Sequence, residues 1–123
     1  MITNTGLDTE AISRNSEVVR KYIDDPLVHD KISLRLFFET MESGEKAAGS
    51  IYKINAPMLV MHGTADKITS FKTTQEFVMN SGNKTTFKAW SDNFHELHND
   101  LDAEEVFDYT IEWLNKNITD KGN

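Results

Sequence analysis

The stretch Met58-Leu59-Val60-Met61-His62 is apolar without polar alternation. A strand of that composition is expected to be buried on both faces, which places it inside a parallel sheet covered by helices rather than in a half-solvated antiparallel one. Its surroundings agree. Asn55-Ala56-Pro57 marks the entry, and Gly63-Thr64-Ala65-Asp66 is the turn that leaves it. Ser70 can cap a helix that runs to about Asn80 and is ended by Gly82. Thr85 to Trp90 reads as a second strand, more alternating and so nearer a sheet edge. Asp102-Ala103-Glu104-Glu105 is a capping-box pattern. It opens a helix with Val106, Phe107, Thr110, Ile111 and Leu114 on one stripe and Trp113 close by. Strand, helix, strand, helix is a βαβ unit with a closing helix, so the fold class is α/β with parallel strands.

The first half is helical. The opening dozen residues are polar and patternless and read as a loose lead-in. Asn15 or Ser16 can cap a helix with Val18, Val19, Tyr22 and Ile23 on one face, stopping near Asp25 because Pro26 follows. Ser33 can cap a second, with Leu34, Phe37, Phe38 and Met41 at helical spacing. It ends at Gly44 or continues to about Tyr52. Val28, Leu34, Phe37 and Phe38 could line an acyl pocket, but their spacing favours a core face. Two strands are too few for a stable open sheet. The pattern therefore predicts either self-association through an open strand edge or completion of a sheet supplied from elsewhere.

Bulk properties exclude several functions. Thirteen basic against 20 acidic side chains leave a formal net charge of -7, which repels phosphate backbones and argues against nucleic-acid binding. Without cysteine there is no disulfide framework, thiolate nucleophile or Cys-based zinc site. Met1 to Gly6 lacks the basic and apolar regions of a signal peptide, and the run Ala56 to Met61 is too short to span a bilayer. A cytoplasmic chain without stable membrane insertion is the expectation.

Two segments carry chemistry: His62-Gly63-Thr64-Ala65-Asp66, and Asn93-Phe94-His95-Glu96-Leu97-His98-Asn99-Asp100. In parallel sheets functional residues collect at the carboxyl ends of strands, where Asp66 and His95 both fall. They are 29 positions apart, room for one helix and one strand. Asp66 could then accept a hydrogen bond from the His95 ring, fixing its tautomer and stabilising the imidazolium. Taken alone, an Asp in such a turn is more often a turn residue. His29 reads as merely exposed, and His62 as a hydrogen-bonded packing residue. His95 and His98 are three apart in a loop, whereas the zinc-protease pattern needs four on a helix, so neither a metal nor any other cofactor is expected.

At these two segments the chain resembles bacterial monoacylglycerol lipase and lysophospholipase-like serine α/β-hydrolases of the serine aminopeptidase S33 type. Ala56 to Thr69 is similar to their penultimate strand and acid turn, and Phe94 to Asn99 to their catalytic-histidine loop. Ser13-Arg14 with Asp25-Pro26-Leu27-Val28 resembles the end of their cap and its return to the core. The resemblance runs from about Gly6 to Leu114. It implies that Asp66 is the triad acid and His95 the general base, and that His98 is a second, non-catalytic histidine. It also implies that residues 1–52 are cap end and connecting helices, 53–118 the C-terminal βαβα part of the core, and 119–123 a tail. Phe71 stands where such proteins often have proline, and Asn93 where a small residue is common.

The triad order in this fold is Ser, acid, His, with the Ser on a Gly-x-Ser-x-Gly elbow. No glycine here begins or ends such an elbow. The expectation is therefore the C-terminal portion of a carboxylic-ester hydrolase, supplying acid and base and inactive alone. Loss of the nucleophile costs on the order of a million-fold in turnover, and loss of oxyanion donors roughly a hundred- to thousand-fold more. Completed by an N-terminal fragment, it would act on a small lipid ester. The alternatives are a non-catalytic remnant serving as an oligomeric or binding module, and a metal-binding protein using the His95–His98 loop.

Overall fold

A computed structural model describes residues 1–50 and 54–118. The elements are β1 (Ile2–Asn4), α1 (Ser16–Asp24), β2 (Lys31–Ser33), α2 (Leu34–Ala48), β3 (Met58–Gly63), α3 (Phe71–Met79), β4 (Thr85–Trp90) and α4 (Ala103–Ile118), with short 3-10 turns at Thr9–Ala11 and Leu97–Asn99. β3 and β4 pair in parallel, Met58 opposite Thr85 and Gly63 opposite Trp90. This is the α/β arrangement that the apolar run predicts.

The helix starts follow from side-chain capping. Asn15 accepts from the Glu17 amide, Ser33 from Leu36 and Ser70 from Thr73, each satisfying a donor that the first turn leaves unpaired. α1 stops at Asp24, ahead of Pro26. α2 runs through Gly44 and ends at Gly49, so Gly44 does not terminate it. Tyr52, where the longer alternative would end, lies outside the described residues, as do the boundary at residue 53 and the tail 119–123.

Adjacent side chains on a strand face opposite sides, and this places the helices. His62 turns to α3, where it meets Thr74 and Phe71. Met61 turns to α4, where Thr110 lies against it. On β4, Phe87 faces Phe71, while Thr86 accepts a hydrogen bond from the Trp113 indole and Trp90 meets Tyr109 edge to face. Lys88 lies over both the Trp90 and Tyr109 rings. The core here is Trp90, Leu97 and Val106, with Met61 and Tyr109 against it.

Several expectations fail. Met58 to Met61 are only half-buried, although their composition predicts burial on both faces. One helix covers each face, and among the described residues β3 pairs with β4 alone, so its other edge is open. The sheet-facing side of α4 is Val106, Tyr109, Thr110 and Trp113, whereas Phe107, Ile111 and Leu114 point outward at 52%, 54% and 40% exposure. The spacing of the apolar residues alone placed that stripe one side too far round. α2 likewise buries no residue, and Phe37 and Phe38 are exposed rather than core.

The opening residues are not a loose lead-in. Ile2–Asn4 pairs antiparallel with Lys31–Ser33, and Ala11, Ile12 and Ser13 are among the most buried positions of the chain. Two three-residue strands give too little alternation to be visible in sequence, and their pairing depends on partners 27 positions and more away in the chain. The Asp102 carboxylate, read as a helix cap, is drawn instead to the Arg14 guanidinium at 2.6 Å.

Candidate active site

Asp66 follows the end of β3 in the turn toward α3, and its local fold explains its orientation. Its Oδ1 accepts the amides of Ile68 at 2.7 Å and Thr69 at 3.0 Å, closing the turn on its own side chain. Its Oδ2 accepts the Thr69 hydroxyl at 2.8 Å and faces His95 Nδ1 at 2.9 Å. It also faces His62 Nε2 at 3.1 Å. The carboxylate side chain is 3% exposed, the His95 side chain 37%. Burial alone would raise the Asp66 carboxyl. The hydrogen bonds from His95, from the amide and hydroxyl of Thr69 and from the Ile68 amide more than offset that, holding it at about 2 against an ordinary 3.8. The group is thus a charged, buried acceptor. His95 presents Nδ1 to it, and Nε2 has no partner among the described residues.

The loop that carries His95 is bolted in place. After β4 the chain turns through Asp92, whose φ of 60° lies in the left-handed region that Asp tolerates better than most residues. Asn93 is fully buried, and its carbonyl accepts the Ala65 amide at 3.1 Å, joining the His loop to the acid turn. The two segments lie so close that a Cβ on Gly63 would stand 2.2 Å from the Asn93 carbonyl oxygen and 2.4 Å from that of Phe94. Only glycine fits there.

From the other side Arg14 clamps the loop. Its Nε donates to Asp100 at 2.9 Å and its Nη2 to Asn93 Oδ1 at 2.9 Å and Asp102 at 2.6 Å. Asp100, with a fully buried side chain, also accepts the Phe94 amide at 2.7 Å. Burial pushes its carboxyl up, but the amides of Phe94 and Leu101 and the Arg14 guanidinium win, and it is held below its ordinary value. The Ser13 hydroxyl donates to the Asn99 carbonyl and the Glu96 amide to the Ile12 carbonyl, so the segment before α1 lines the length of the loop.

The structure therefore brings Asp66 and His95 together and leaves His98 exposed on the 3-10 turn. His29 is also exposed. His62 is a hydrogen-bonded packing residue as read, held by Thr74, with the addition that its Nε2 lies 3.1 Å from Asp66 Oδ2. Among the described residues no cluster of three or more His, Asp or Glu is arranged to hold a metal ion, and no helix is long and apolar enough to cross a membrane. Sequence reasoning missed Arg14, Asn93 and Asp100 as a unit. Arg14 is 79 to 88 positions from its partners, and no local spacing signals such a pairing.

The chain matches the family of serine aminopeptidases, S33, over residues 2–102. It is 34% identical over 122 residues to an abhydrolase domain-containing protein of Dictyostelium discoideum, covering 98% of this chain and 13% of that protein. A monoacylglycerol lipase of Mycolicibacterium smegmatis is 27% identical over 110 residues, covering 88% and 39%. Among solved structures, the monoacylglycerol lipase of Paleococcus ferrophilus superposes with a TM-score of 0.88 at 34% identity, covering 93% of this chain and 45% of that one. A soluble variant of the monoglyceride lipase of Saccharomyces cerevisiae, at 24% identity and a TM-score of 0.84, shares the fold. The chain spans less than half the length of each of these relatives. Matched along most of its own length, it belongs to the serine aminopeptidase S33 family and carries part of the α/β-hydrolase fold.

Proposed function

We propose that this chain supplies the acid and the general base of a serine ester hydrolase acting on small lipid esters, monoacylglycerols or lysophospholipids. The observation that carries the reading is the contact between a buried, ionised Asp66 and the Nδ1 of a solvent-accessible His95. That contact keeps the proton on Nδ1 and leaves the Nε2 lone pair for a hydroxyl. In the proposed reaction His95 Nε2 takes the proton of a serine hydroxyl as its oxygen bonds to the ester carbonyl carbon. The imidazolium is stabilised by Asp66 and then protonates the departing glycerol or phosphoglycerol oxygen. Water, deprotonated by the same Nε2, then bonds to the acyl carbon, the bond to the serine oxygen breaks, and that oxygen takes the proton from Nε2 as the fatty acid is released. The relatives whose names specify monoacylglycerol or monoglyceride support the substrate class.

No Gly-x-Ser-x-Gly occurs in the 123 residues, so in this reading the serine comes from outside them. The serine-bearing portion would lie against the open edge of β3 and the exposed apolar face of α2. Those uncovered surfaces also favour the second reading, a binding module without chemistry.

The test is complementation with the N-terminal portion of the Paleococcus ferrophilus lipase. The expected result is monoacylglycerol hydrolysis and fluorophosphonate labelling of the added serine in the mixture only. Asp66→Asn should lower turnover by on the order of ten-thousandfold, and His95→Gln by at least as much. Complex formation without labelling would leave the binding-module reading. Labelling of this chain alone would refute the assignment of the nucleophile to another segment.

A further inference from the structure

His62 is a buried titratable group that the proposed chemistry does not use and that stands against the acid, and its surroundings are specific. It is 8% exposed at the end of β3. Its Nε2 lies 3.1 Å from Asp66 Oδ2, the same oxygen that faces His95. Its Nδ1 is 2.7 Å from the Thr74 hydroxyl on α3. The ring stands edge-on to Phe71, with centroids 5.6 Å apart and planes at 86°. Strand, helix and aromatic wall thus hold the imidazole in one orientation.

The partners decide where its proton sits. Asp66 Oδ2 is an ionised acceptor and has no hydrogen to give. A bare Nε2 lone pair at 3.1 Å from it would be repelled, so Nε2 carries the hydrogen. Nδ1 then accepts from the Thr74 hydroxyl, which can donate as well as accept. The Thr69 hydroxyl, 3.4 Å from Nε2, already gives its own hydrogen to Asp66, so it too faces Nε2 as an acceptor.

We infer that His62 is a positioning residue for Asp66: its Nε2–H, anchored through Thr74 and close beside Oδ2 rather than in line with it, draws that oxygen of the carboxylate into place toward His95 Nδ1 by electrostatic attraction. Two imidazoles of opposite tautomer therefore share one carboxylate oxygen, His62 protonated on Nε2 and His95 on Nδ1. The local amides of Ile68 and Thr69 hold Oδ1, and His62 determines where the other oxygen points. This deepens the proposed function and rests on it for its catalytic meaning, although the orientation itself is measurable without any reaction.

The experiment is long-range proton–nitrogen NMR of the full chain labelled with nitrogen-15, which reports the tautomer of each histidine. The wild-type chain should show His62 with hydrogen on Nε2 and His95 with hydrogen on Nδ1. In His62→Leu the His95 signal should move to the mixed-tautomer pattern of an unrestrained imidazole. In His62→Gln, whose amide nitrogen can stand near the lost Nε2, the Nδ1–H pattern should return. Thr74→Val keeps the His62 ring and removes only its anchor, so it serves if the leucine variant does not fold, and it should shift the His95 pattern partway. In the complemented enzyme, His62→Leu should lower kcat by about ten- to a hundredfold with little change in KM, as loss of an orienting outer partner does. A wild-type His62 with its hydrogen on Nδ1, or a His95 tautomer indifferent to both His62→Leu and Thr74→Val, would overturn the inference. A tautomer response without hydrolysis in the mixture would uphold the orientation and count against the proposed function instead.

Discussion

Asp66 is the residue on which the site turns, because it reconciles two opposed demands. An acid that stabilises an imidazolium must stay charged, yet it must be out of water to act strongly. Donors on both oxygens meet both demands and hold its carboxyl at about 2. The sign of the pH dependence follows. A carboxyl lowered on folding contributes stability that is complete above its unfolded value and is lost as pH falls through about 2. The contribution is about 2 kcal/mol, and Asp100, also lowered, acts in the same direction. Acid titration of unfolding free energy should show the loss, and Asp66→Asn should flatten the curve across that window. Gly63 makes a second residue-scale prediction. Gly63→Ala drives a methyl into two backbone carbonyls that cannot rotate away, and should destabilise the chain by about 1–3 kcal/mol. Thermal melts would measure the loss, and the His95 amide should shift as the loop is pushed off the acid turn.

At the scale of elements, the His loop is held by two devices of different legibility. Asp66 and His95 were legible as strand-end residues because parallel topology gathers such positions at one end of the sheet, and the resemblance assigned them their roles. The Arg14 clamp was not legible, because its partners are brought together only when the segment before α1 lies along the loop. Arg14→Met should therefore cost more than a surface charge would. It strands the fully buried Asp100 carboxylate, and losing one partner of a buried pair typically costs about 3–5 kcal/mol. Hydrogen exchange should show the amides of Phe94 and Leu101, both bonded to Asp100, losing protection first. If those amides remain as protected as in the wild type, the clamp does not hold the loop. Caps at Asn15, Ser33 and Ser70 were readable because a cap is a matter of a few adjacent residues. The short strands β1 and β2 were not, because each is too brief to show a period.

For the molecule as a whole, the unusual feature is apolar surface left uncovered. Phe38 is 65% exposed on α2, and Phe107 and Ile111 lie outward on α4. In the proposed complex the face of α2 is covered by the serine-bearing portion. Phe37→Ser with Phe38→Ser should then change the stability of the isolated chain by no more than about 0.5 kcal/mol, as exposed substitutions do. The same pair should weaken complementation by at least about tenfold in the concentration of partner required. Titration of esterase activity against the added half would decide it, and undiminished complementation would show that this face is not the contact.

Sequence by itself determined what depends on neighbours along the chain: the apolar run of β3, the helix caps, the stop before Pro26 and the turn that carries Asp66. Together with the order of elements, these sufficed for a parallel α/β chain and for placing Asp66 and His95 at the ends of its strands, while their roles as acid and base were what the family resemblance implied. Tertiary structure alone decided which side of α4 meets the sheet, how deeply β3 is covered, and which distant side chains brace the loop. Hydrophobic spacing says that a face is apolar but not what lies opposite it, and an ion pair such as Arg14 with Asp100 exists only once chain segments 86 positions apart come together.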